Sequence, residues 1–320
     1  MTRVEVVAPD GAPEVAPGAD LVEILLPLVS LEDGDVVVVT SKVVSKAERR
    51  ARRGTRDDVL AGETARVVAR RGPTSIVRTR HGLTMAAAGI DNSNVPAGTV
   101  ILLPEDPDAS ARRLRAGIRH RTGRNVAVIV TDTAGRAWRE GQTDIAIGAA
   151  GLLVAEAYAG RTDAHGNELA VTLPAVADEI AGMAELAQGK LGGRPFAVVR
   201  GRSDLVLPPE DDGPGARTLI RPEGADLFGF GAREAVVRAL RGDPDDQVVF
   251  GAPAAAGELA DAITQVLGLV PSHSARDGGT LLVTYPRGLA RALRALAFAH
   301  GWDVLDTDSP SDARLRPGRP

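Results

Sequence analysis

Short β-branched runs punctuate the chain. Val36 to Thr40 (VVVVT), residues 126–131 (VAVIVT), Phe196 to Arg200 (FAVVR) and Leu281 to Thr284 (LLVT) are each bounded by turn or charged residues and predict strands. Unbroken apolar runs of this kind fit strands buried on both faces. Between them the spacing becomes helical, over residues 64–71, 110–122, 175–188, 232–241, 257–267 and 289–300. In 175–188, Val176, Ile180, Met183 and Ala187 keep the helical period behind Pro174, a favoured first-turn residue. The predicted class is therefore mixed α/β (α+β). Gly242-Asp243-Pro244-Asp245-Asp246 breaks both periods and marks a linker. The chain is accordingly expected to divide into a main domain over 1–242, a small α/β extension over 243–306, and a polar, Pro/Arg-rich end, 307–320, without order.

Composition narrows the class. With 320 residues the chain has room for about two domains. No run of about 18 apolar residues is present, so no membrane span is expected. The start, MTRVEVVAPDGAPEV, shows neither an apolar h-region nor a small-residue cleavage site. The absence of cysteine excludes disulfides, thiolate metal sites, iron–sulfur clusters and a cysteine nucleophile, and suits a cytoplasmic location. The net charge is −4, so the run Arg49-Arg50-Ala51-Arg52-Arg53, which lacks interleaved aromatics, reads as a solvated or substrate-facing loop, with no nucleic-acid partner. Of 38 basic residues only Lys42, Lys46 and Lys190 are lysines. In so arginine-rich a chain a retained lysine draws notice, because arginine cannot reproduce a compact ammonium on one phosphate oxygen.

The common nucleotide and hydrolase signatures are missing. Gly189-Lys190-Leu191 lacks the remaining residues of a P-loop, Gly229-Phe230-Gly231 lacks the third glycine of a dinucleotide fingerprint, and the five histidines show no metal spacing. What remains is three polar clusters at strand ends, where ligands of open α/β sheets sit. Residues 40–46 (TSKVVSK) place two hydroxyls beyond Thr40 together with two lysines, a set suited to phosphate oxygens or simply to a polar strand exit. Residues 86–94 (AAAGIDNSN) lead small side chains into Asp91 and Asn94, as a ligand loop or an Asx-rich turn. Residues 131–139 (TDTAGRAWR) set Asp132 beside Thr133 and follow them with Arg136 and Arg139, either a magnesium and phosphate site or an Asp–Arg pair holding a loop. The inventory has no evident nucleophile or histidine base and favours electrostatic phosphoryl chemistry.

These strings, in order, carry a resemblance. Residues 36–46, 86–94, 131–139, 141–144 (GQTD), 158–160 (YAG), Asp163 with Gly166, 177–179 (ADE) and 198–201 (VVRG) together resemble the coenzyme F420:L-glutamate ligase family over about residues 1 to 240. The resemblance implies a ligase that adds γ-linked glutamate to coenzyme F420-0 with GTP as co-substrate, and a homodimer with small-molecule partners only. It implies GTP contacts at Ser41, Lys46, Asn94, Gly189 and Lys190, and an N-terminal contact over Ala12, Pro13, Glu14 and Val15 that keeps only the family's proline. The implied ligands for Mg2+ or Mn2+ are Asp91, Asp132 and Thr133, with K+ left open; Lys190 stands where archaeal relatives place a further glutamine ligand. Lys46, Asp132, Arg136 and Arg139 are then the expected catalytic group, the arginines for acceptor phosphate or glutamate carboxylate. The chain is similar to the N-terminal half of the actinobacterial form, whose second half is a flavin-binding reductase domain. Only about 75 residues follow the linker here, where a domain commonly has roughly 100–150, so no flavin is expected.

Overall fold

The computed structural model describes residues 3–222, 224–273, 279–307 and 309–318. It divides into two units, residues 1–220 and 221–320.

The first unit is built on a five-stranded sheet in the order Glu5–Val7, Phe196–Arg200, Val36–Thr40, Ala127–Arg136, Arg139–Ala150. Only Val36–Thr40 and Ala127–Arg136 run parallel; the other pairings are antiparallel. The pleat explains the unbroken valine run. Val37 and Val39, with Val128 and Val130, pack into one core with Leu21, Leu25 and Ile118, while Val36, Val38, Ala127 and Ile129 pack on the other face against Ile180 and Ala184. The helices Leu21–Leu25 and Pro107–Thr122 thus cover one face and Val176–Gln188 the other. Small side chains permit this fit. A Cβ on Gly148 would come within 2.3 Å of the Pro107 carbonyl oxygen.

Several expectations need correction. Residues 64–71 form a strand, Thr64–Arg71, paired with Thr74–Thr79 and extended by Thr84–Ala86. Eight residues are too few for the period to decide; β-branched Thr64, Val67 and Val68 and the Gly72-Pro73 turn select the hairpin. The helix before it, Arg56–Glu63, was not predicted; Thr55 and Asp58 cap its start reciprocally. The arginine run is no loop either. Ala51–Arg53 pairs with Thr99–Ile101, and buried Arg50 joins Glu63 and Glu105, with Arg80 bonded to the same two carboxylates.

The second unit has a core of its own, with Leu259, Ile263, Leu281, Leu293, Trp302 and Leu315 at its centre. Its sheet runs Ser272–His273, Leu281–Thr284, Asp312–Pro317, Trp302–Asp306, all antiparallel. The unit begins well before the predicted linker, because the Ala232–Arg241 helix packs on Ala290–Ala299. The end expected to lack order supplies an inner strand of this sheet; residues 308, 319 and 320 lie outside the described residues. Alternation explains it: Ala313 and Leu315 are buried while Arg314 and Arg316 point outward.

Candidate active site

The parallel strand pair creates the site. Thr40 lies opposite Thr131, so the next residues, Ser41 and Asp132, leave the pair side by side, and the Ser41 hydroxyl donates to Asp132 Oδ1 at 2.8 Å. Val36–Thr40 passes directly into the Ser41–Ala47 helix, whose i, i+4 spacing sets Lys42 and Lys46 on one side. Lys42 Nζ pairs with Asp91 Oδ2 at 2.6 Å and donates to Ser93 Oγ at 2.7 Å. Lys46 Nζ pairs with Glu14 and donates to the Asn94 carbonyl at 3.2 Å. The 91–94 segment holds itself in shape, since Asp91 Oδ1 accepts from the Ser93 N–H at 2.8 Å and Asn94 turns the chain at a φ of 54°.

The other side comes from the hairpin and a helix end. Thr133 faces Asp144 across the antiparallel ladder and donates to its Oδ1 at 2.8 Å; Thr131 donates to Oδ2 at 3.0 Å. The Asp144 N–H donates to Glu185 Oε2 at 3.2 Å, which ties the strand to the Val176–Gln188 helix. Gly189, at a φ of 62°, turns the chain out of that helix into Lys190. Together these walls enclose a cleft of about 620 Å³.

Most of the predicted residues meet there. Ala12, Pro13, Glu14 and Val15 border the cleft, as do Ser41, Lys46, Asn94, Gly189 and Lys190; Asp91, Asp132 and Thr133 complete that set. Arg136 and Arg139 do not border it. The strand predicted to end at Thr131 continues to Arg136, and both arginines are exposed at the far end of its hairpin, where Arg136 bonds the Glu140 carbonyl at 3.2 Å. The fold therefore does not bring these two arginines together with the other predicted residues. Sequence reasoning gave no role to Asp144, Glu185 and Gln188, which also border the cleft. The only signals were the Gly141 to Asp144 string and the i, i+3 spacing of Glu185 and Gln188 at the helix end.

Charge at the site is unbalanced. Burial, together with the negative charges of Asp144 and Asp91, pushes the Asp132 carboxyl up to about 7, against the bond from Ser41. Burial also acts to raise Asp91, but the Lys42 ammonium and the Ser93 bonds hold it below its usual range. A divalent cation fits this set, because oxygen donors suit Mg2+ or Mn2+ and a positive charge would relieve Asp132. Thr133 directs its hydroxyl hydrogen to Asp144 and so keeps oxygen lone pairs for a cation. Among the described residues no three carboxylates or histidines converge as a ready cage. Such a site suits a cation that arrives with phosphate oxygens and water.

Fold and cleft thus define an α/β protein with a cleft lined by carboxylates, hydroxyls and lysines at the end of a parallel strand pair. The sequence model of F420-0:Gamma-glutamyl ligase matches residues 11–72 and 56–201. Coenzyme F420:L-glutamate ligase of Archaeoglobus fulgidus is 42% identical over 221 residues, 62% of this chain and 88% of that protein. The enzyme of the same name from Methanopyrus kandleri is 40% identical over 241 residues (67% and 93%), and that from Haloarcula marismortui 39% over 243 (65% and 95%). The chain belongs to the F420-0:gamma-glutamyl ligase family.

Proposed function

We propose that the chain is a GTP-dependent ligase that joins L-glutamate to coenzyme F420-0 through a γ-glutamyl amide bond, as a cytoplasmic homodimer. The observation that carries this reading is the meeting, in one cleft, of Ser41, Lys46, Asn94 and Lys190 with Asp91, Asp132 and Thr133. In this reading the acceptor carboxylate attacks the γ-phosphorus of GTP, releasing GDP and forming an acyl phosphate. The glutamate amine then displaces inorganic phosphate and loses a proton. A divalent cation held by Asp91, Asp132 and Thr133 would neutralise charge on the phosphate oxygens. Lys46 sits at the cleft wall with exposed Glu14 as its partner, so a phosphate can replace that carboxylate. Ser41 fixes the Asp132 carboxyl, and Lys190, which has no ion-pair partner among the described residues, is free to meet a phosphate.

The test is incubation of the protein with F420-0, GTP, L-glutamate and Mn2+, followed by mass spectrometry. A product heavier by one or more glutamyl residues, with GDP released in step, is expected. A folded protein that yields no such product defeats the reading.

A further inference from the structure

The cleft side formed by Asp144 and the end of the Val176–Gln188 helix carries charge that the fold does not answer. Asp144 is 6% exposed, and among the described residues its side chain accepts only from the Thr131 and Thr133 hydroxyls. Glu185 accepts from the Asp144 N–H. Neither carboxylate has a cationic partner among the described residues. One turn further along the helix, Gln188 is 3% exposed and borders the same cleft, yet its side-chain nitrogen has no acceptor. An unsatisfied buried donor is costly, so its presence beside an opening points to a ligand atom.

We infer that this side of the cleft is the amino-acid subsite: the ammonium of L-glutamate rests against Asp144 and Glu185, and its α-carboxylate accepts from the Gln188 amide. The inference rests on the ligase reading given above. Two carboxylates answer a cation, while the unpaired group on Gln188 is a donor and answers an anion. A zwitterion satisfies both at once; a second metal ion satisfies only the carboxylates. Position agrees with chemistry. Thr133, bonded to Asp144, is the chain neighbour of Asp132, so the amine is delivered beside the proposed phosphoryl site.

The experiment compares wild type with Gln188→Met and Glu185→Gln, both close in shape to the parent residues. Binding of L-glutamate is measured by calorimetry in the presence of Mg2+ and a non-hydrolysable GTP analogue, and KM for glutamate and for GTP by turnover. Loss of a bond to a charged group predicts about a tenfold or greater weakening for glutamate in each variant. The GTP KM should stay within about twofold. N-acetyl-L-glutamate, which has no ammonium, should not compete with glutamate on the wild type. Glu185→Gln changes a half-exposed side chain and keeps the test open if Gln188→Met misfolds, which circular dichroism reports. Unchanged glutamate affinity in the folded variants overturns the subsite, as does a loss confined to GTP or Mn2+. A wild type that binds glutamate but never forms product retains the subsite and defeats the ligase reading; product formation with unchanged glutamate constants does the reverse.

Discussion

At the scale of single residues, Asp132 is the most informative group. Its carboxyl, pushed up to about 7 by burial and by Asp144 and Asp91, holds a proton in the folded state over a range where an unfolded aspartate has lost it. The folded state therefore binds more protons between about pH 4 and 7, and stability falls as pH rises through that window. Thermal unfolding of metal-free protein should show this decline, and Asp132→Asn, neutral throughout, should flatten it. A cation must displace the same proton, so calorimetric Mn2+ affinity should climb as pH approaches about 7 and level off above it. Arg136 and Arg139 give the contrasting expectation. They lie outside the cleft, and changing either to alanine should leave nucleotide and Mn2+ binding, measured by titration, within about twofold. The three lysines that stand out in so arginine-rich a sequence meet in one cleft. Lys42, Lys46 and Lys190 all border the cleft, but only the fold shows Lys42 neutralising Asp91.

At the scale of elements, sequence pattern was legible where a strand or helix depends mainly on its own period. Val36–Thr40, Phe196–Arg200, Leu281–Thr284 and Ala232–Arg241 match their predicted bounds. It failed for Thr64–Arg71, where a hairpin partner decides the conformation, and for the Ala127–Arg136 strand, whose extension beyond Thr131 is held by ladder bonds to Arg139–Ala150. The Arg50, Glu63, Arg80, Glu105 network was likewise invisible, since its members meet only after the small sheets form. Glu63→Ala leaves buried Arg50 with Glu105 and the Leu103 carbonyl as partners and should cost about 1–3 kcal/mol in urea unfolding. Gly148→Ala tests packing between elements. Its Cβ would meet the Pro107 carbonyl oxygen at 2.3 Å, so a loss of about 1–3 kcal/mol or more is expected.

At the scale of the molecule, every cleft residue lies in the unit 1–220, and the second unit has its own core. Calorimetry should resolve two unfolding transitions, and addition of GTP with Mn2+ should raise only the one that survives in a chain ending at residue 220. The sequence by itself determined the class, the main strands and helices, and the polar strings that belong to the family, because periodicity and side-chain chemistry are local properties. Tertiary structure decided the rest. Ser41 meets Asp132 only through the parallel register, and Thr133 meets Asp144 only through the antiparallel one. The arginines leave the site because the strand carrying them continues past it, and Gln188 acquires meaning only when its helix end closes the cleft. Pairing register and burial are properties of partners distant in sequence, which no local pattern along the chain encodes.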